Sequence, residues 1–167
     1  KMAKFFGNLH LVLVAGFVLA LALIVGIEPN GTVEQQAIRW LHTFFGIVWI
    51  GLLYYFNFVQ IPTMPKIPAE LKPAVSKHIA PSALFFFRWA AAATVALGLV
   101  IALRSNYLKE ALLLQDGYQL IGIGMWLALI MAFNVWFIIW PNQKKALGIV
   151  EADDASKAKA ATTAMMT

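Results

Sequence analysis

The residues best equipped for chemistry are three imidazoles, one guanidinium and three side-chain amides, all in or beside long uncharged runs. His10, His42 and His78 can ligate haem iron or a metal ion. Asn57, Gln60 and Asn134 can each donate and accept hydrogen bonds where few other groups do. Arg88 is the costliest of the set. Insertion scales put an arginine at the centre of a membrane helix near 2.5–3.5 kcal/mol, so it should face other helices. No Asp or Glu lies inside any of the runs. The counter-group expected for Arg88 is therefore a carbonyl, a lipid phosphate, an anionic ligand, a haem propionate or another subunit.

Those residues sit on four runs, 5–27, 40–61, 79–103 and 117–140, in which Arg88 is the one formal charge. Each is long enough to cross a hydrocarbon core of about 30 Å as a helix. The chain is 61% hydrophobic and 13% charged, against roughly 25% charged for soluble domains. The expected fold is all-α: a polytopic membrane protein with a four-transmembrane-helix bundle over 1–145 and a polar tail over 146–167. Lys1 and Lys4 before an apolar run resemble a signal peptide, but the run exceeds a normal signal core and reads as an anchor. No cysteine is present, which excludes thiolate metal sites, iron–sulfur clusters and covalently attached haem within these residues.

Glu28-Pro29-Asn30-Gly31 is a turn signal that ends the first helix. The second connection, 62–78, opens with Pro62, Pro65 and Pro68 and is not expected to be helical throughout. Ser76 and Pro81 flank the start of the third span, and Pro141 closes the apolar part of the fourth. Loop charges then set the orientation. Lys1, Lys4, Lys66, Lys72, Lys77, Lys144, Lys145, Lys157 and Lys159 fall on one side, against Arg39, Arg104 and Lys109 on the other. The richer side should be cytoplasmic, in a bacterial inner membrane, with both ends of this chain inside. On that topology His10, Asn57, Gln60, His78, Arg88 and Asn134 all belong to the cytoplasmic leaflet. His10 and His78 become a candidate pair for one metal ion or haem b. His42, with Gly46 one turn on, lies in the opposite leaflet without a second histidine.

Small residues spaced by four (Ala90, Thr94, Gly98 and Ala102, and again Gly16 and Ala20) predict close helix approach. Aromatic residues crowd the second and fourth spans, among them Trp49, Tyr54, Phe56, Trp136 and Trp140. They suit either a stacking cleft or ordinary core and lipid-facing roles. No phosphate-binding glycine loop, zinc-protease motif, nucleophile elbow or paired intramembrane carboxylate is present. The basic residues are dispersed over loops and do not form the clustered footprint of a nucleic-acid binder.

Three stretches carry a resemblance. Leu41-His42-Thr43-Phe44-Phe45-Gly46-Ile47-Val48-Trp49-Ile50-Gly51 runs on to Tyr54-Tyr55-Phe56-Asn57-Phe58-Val59-Gln60. The second is His78-Ile79-Ala80-Pro81-Ser82-Ala83-Leu84-Phe85-Phe86-Phe87-Arg88-Trp89, and the third Asn134-Val135-Trp136-Phe137-Ile138-Ile139-Trp140-Pro141-Asn142-Gln143. Together, over about 39–145, they resemble the membrane domain of bacterial cytochrome-linked urate hydroxylases, the urate oxidase N-terminal domain family. The resemblance implies a multi-span inner-membrane domain, urate oxidation, and in some members a c-type cytochrome that passes electrons onward. This chain stops at Thr167, where members continue, and has no Cys-x-x-Cys-His.

Two functions follow as expectations. One is a redox-linked protein of the urate hydroxylase type, with haem or metal on the histidines, an anionic substrate near Arg88 and an electron-transfer partner. The other is a non-catalytic accessory subunit of a respiratory or photosynthetic membrane complex, binding lipid, quinone or pigment beside other subunits. A small transporter is disfavoured, because broken helices and intramembrane carboxylates are lacking.

Overall fold

The computed structural model describes residues 2–27 and 33–166, and they form helices joined by turns. The turn expected at Glu28-Pro29-Asn30-Gly31 lies outside the described residues. Four helices are long and apolar enough to cross a membrane: α2 (Leu9–Ile27), α3 (Val33–Lys66), α4 (Lys72–Arg104) and α6 (Gln119–Ala146). Short helices α1 (Met2–Phe6), α5 (Leu108–Leu112) and α7 (Asp154–Met166) complete the order. This is an all-α, polytopic membrane protein. The chain divides into two compact units, Lys1–Leu41 and His42–Thr167.

In the first unit the helix expected to run unbroken from Phe5 is interrupted at Gly7. The side-chain oxygen of Asn8 accepts from the backbone N–H groups of His10 and Leu11, at 3.1 and 3.3 Å. That is an N-cap, which satisfies two of the otherwise unpaired donors at a helix start. α2 then runs apolar on every side with no buried residue. Among the described residues, a Cβ on Gly16 would meet nothing within 4 Å.

The second unit holds antiparallel lengths of α3 and α4, with α6 against α4. His42 and Gly46 face Thr94, whereas Phe56 meets Phe87 edge-on at 5.6 Å, so position rises along α3 as it falls along α4. The core between them is Trp49, Phe87, Ala90, Ala91 and Val135. The small stripe of α4 is used as its spacing predicts: Ala90, Thr94 and Ala102 are buried.

The second connection is not helical throughout, as its prolines predict, but the break is short. α3 passes through Pro62 to Lys66, and α6 through Pro141 to Ala146; helix breaks only at Ile67, extended (ψ 132°) ahead of Pro68. α4 likewise begins at Lys72, well before Ser76 and Pro81. The reason lies one turn upstream of each proline. Tyr55–Gln60, Val75–Ile79 and Asn134–Ile139 are π-helical turns, and each ends two residues before a proline, Pro62, Pro81 and Pro141. A proline ring clashes with the carbonyl four residues back. In all three helices that carbonyl belongs to the widened π turn, whose i→i+5 bonding draws it aside. The connection 104–116 is also more ordered than a loop: α5 lies on Gly122, and Trp126 donates from Nε1 to the Leu112 carbonyl at 3.0 Å.

Candidate functional site at the basic end of the second unit

The three π turns bring the sequence's polar residues into irregular backbone. Asn57 and Gln60 are in the first turn, His78 in the second and Asn134 in the third. All three turns occupy the end of the unit where α3 finishes, α4 begins and α6 finishes. π turns recur at functional sites because the extra residue rotates side chains out of the helical register. Here the first and third border a cavity.

The cavity measures about 280 Å³ and lies between α3, α4 and α6 under α7. Its polar lining is three amides, Asn57, Gln60 and Gln143; Phe56 and Phe87 supply aromatic wall, and Ala161 and Ala164 of α7 form the cover. None of its lining residues is charged. Asn57 spends its Nδ2 on the Leu53 carbonyl at 2.9 Å, which leaves its oxygen to accept. The Oε1 of Gln60 is buried with no hydrogen-bond partner among the described residues. A buried acceptor left unpaired costs about 1–3 kcal/mol, and a ligand N–H or O–H would remove that cost.

Arg88 sits at the rim of this end. Side chains on a helix lean toward its N-terminus, and the guanidinium follows that direction: Nη1 donates to the Leu84 carbonyl at 3.4 Å, one turn back. Its Cζ lies 3.6 Å from the centroid of the Trp140 ring, an arrangement worth about 0.5–2 kcal/mol depending on desolvation. Trp136 Nε1 donates to the Arg88 carbonyl at 3.0 Å, tying α6 to α4 at this level. The counter-group is thus an aromatic face and a carbonyl, and the aromatic face had no place among the expectations for Arg88.

The histidines separate. His42 donates from Nδ1 to the Thr94 carbonyl at 2.9 Å, and its ring lies flat enough on α4 that a Cβ on Gly98 would come within 3.0 Å of Cε1. The hydroxyl of Thr94 turns back to the Ala90 carbonyl at 2.7 Å. Beside Gly46, Thr94 Cγ2 lies 3.8 Å from where a Cβ would stand, so that face is occupied by α4. Thr94 is sixteen residues along α4 from His78, roughly 24 Å of helical rise, so His42 and His78 cannot ligate one iron. His78 is exposed, its carbonyl accepting from Ser82 Oγ at 3.5 Å, and it does not line the cavity. His10 is exposed on α2 in the first unit. No cluster of three or more His, Cys, Asp or Glu occurs among the described residues. The second unit does not fit a bis-histidine haem, and its cavity, without an imidazole, is too small for a tetrapyrrole.

Sequence reasoning placed Asn57, Gln60 and Arg88 near a common site but missed Gln143, Phe87 and α7. Gln143 lies beyond Pro141, where the apolar pattern ends, so a search confined to the apolar spans passes over it. Asn134 is half-buried in the third turn and outside the cavity lining. No family model, curated protein or solved structure matches this chain.

Proposed function

We propose that the chain is the membrane-embedded helical module of a redox-linked system, holding a flat, hydrogen-bonding ring in the amide-lined cavity. The observation that carries this reading is the unpartnered Oε1 of Gln60, a residue that lines the cavity with two other amides and two aromatic rings. An amide edge offers one acceptor and two donors, the complement of a ring that alternates N–H with C=O. Urate is such a ring, and the resemblance to urate hydroxylase membrane domains runs through the same residues, Phe56, Asn57, Gln60, Phe87 and Gln143. The cavity is at the small end of ligand sites, which span about 300–1,000 Å³, and suits one or two fused rings.

A second reading rests on the absence of charge in the lining. A neutral quinol offers O–H to Gln60 Oε1 without burying an anion, as an accessory subunit of a respiratory or photosynthetic complex would require. In either case lipid surrounds the spans, and a membrane subunit or electron-transfer protein completes the chain of electrons. The orientation proposed is that of the lysine bias, with both ends of this chain cytoplasmic in a bacterial inner membrane; reporter fusions at Asn30 and Val150 should give periplasmic and cytoplasmic signals respectively. Thermal unfolding of the purified protein with urate and with a short-chain quinol tests the ligand. Stabilisation by urate that disappears in Gln60→Leu supports the first reading, stabilisation by quinol alone supports the second, and neither at millimolar concentration refutes both.

A further inference from the structure

Trp140 carries two cations. Arg88 Cζ stands 3.6 Å and Lys144 Nζ 5.7 Å from the same ring centroid. Laid end to end those distances bound the separation, so the two charges are no more than about 9 Å apart, where like charges still repel appreciably. Among the described residues neither has a carboxylate within ion-pair distance. Both are partly buried. The remaining groups facing Arg88 are the Phe85 ring, at 5.6 Å, and the Leu84 carbonyl. Two neighbouring cations, without an anion and sharing one aromatic platform, form a site with its counter-ion still to be supplied.

Position says which anion. Trp140 closes the apolar run of α6, and Lys144 follows one turn later beside Lys145. The Arg88 side chain leans from inside the span toward that level, as a long basic side chain does when its head seeks the interface. Tryptophan and lysine at the end of a span mark headgroup depth. We propose that Arg88, Lys144 and Trp140 bind the phosphate of an anionic phospholipid, the indole holding the guanidinium in place while the planar fork and the ammonium take the oxygens. The assignment is separate from the amide cavity, which none of these three residues lines.

Native mass spectrometry of the detergent-purified chain in mixed micelles of phosphatidylglycerol and phosphatidylcholine, matched in acyl chains, tests it. A basic residue near an anionic surface contributes about 1 kcal/mol, roughly fivefold in affinity. Wild type should retain phosphatidylglycerol preferentially. Lys144→Gln, on the tail side of the span where folding is not at stake, should lower that preference about fivefold, and Arg88→Gln by at least as much. Lys145→Gln, exposed on the same helix, should change it less than twofold. An unchanged preference in Lys144→Gln would overturn the proposal, as would an equal loss in Lys145→Gln, which would mean a diffuse surface field. Loss of the preference on adding millimolar inorganic phosphate, at matched ionic strength, would also overturn it by showing that a soluble anion is the ligand.

Discussion

His42 and Gln60, at opposite ends of the second unit, are held in opposite ways. At the Arg104 end, His42 is bonded through Nδ1 to Thr94, and its ring rests against Gly98 with no room for a methyl group. At the basic end, Gln60 keeps a buried oxygen unpaired beside a cavity of about 280 Å³. The backbone differs in step. α3 and α4 are regular where His42 crosses to Thr94, and π-helical where Gln60 and His78 sit. His42 is thus an interhelical fastening, whereas Gln60 carries the proposed binding role, although type and depth alone had put both among candidates for the site.

Substitutions should separate the ends by size of effect. Gly98→Leu should be the most damaging, because its first added carbon already collides with the His42 ring; overpacking of this kind costs about 1–3 kcal/mol and sometimes more. Thermal unfolding in detergent should register it as a clear drop. His42→Ala should cost about 1–2 kcal/mol through the lost interhelical bond, with no loss of any bound ligand. Gln60→Leu should leave stability within about 0.5 kcal/mol of wild type, or raise it, since removing an unpaired buried acceptor relieves its cost. The smallest effect belongs to the cover. Asp153 accepts from Ser156, whose side chain and backbone N–H hold its carboxyl below the usual range. A carboxylate with a lowered folded value stabilises α7 above the unfolded value, and the contribution is lost as pH falls through the folded one. Hydrogen exchange should show α7 amides losing protection in acid, and Asp153→Ala should weaken that pH dependence, leaving the part due to the Asp154–Lys157 pair.

Much of this was legible in the chain. The four spans follow from apolar length, the α4 stripe from small residues spaced by four, and the placement of His42 and of Asn57 and Gln60 at opposite ends of the second unit from their positions along the spans. Other features depend on contacts that spacing does not encode. Gly7 and Asn8 restart a helix because Asn8 reaches two backbone donors, a capping choice that competes with an uninterrupted apolar run. Pro62 reads as a breaker because the rule assumes regular α-helix upstream, an assumption the π turn removes. Arg88 finds Trp140 fifty-two positions away, a pairing set by helix register. The expected partnership of His78 with a metal site draws no support from its exposed position, whereas α7, read as a polar tail, buries Ala160 and covers the cavity.

The contrast between a closed end and an open end is tested most directly by ligand-induced stabilisation, measured side by side in three proteins. Wild type, His42→Ala and Gln60→Leu would each be unfolded thermally with and without saturating urate or short-chain quinol. At a hundred times the dissociation constant, binding to the folded state adds about 2.7 kcal/mol, enough for a shift of several degrees. The account predicts that shift in wild type and, from a lower starting point, undiminished in His42→Ala, but absent in Gln60→Leu. An equal shift in all three proteins, or one lost in His42→Ala and kept in Gln60→Leu, would contradict it.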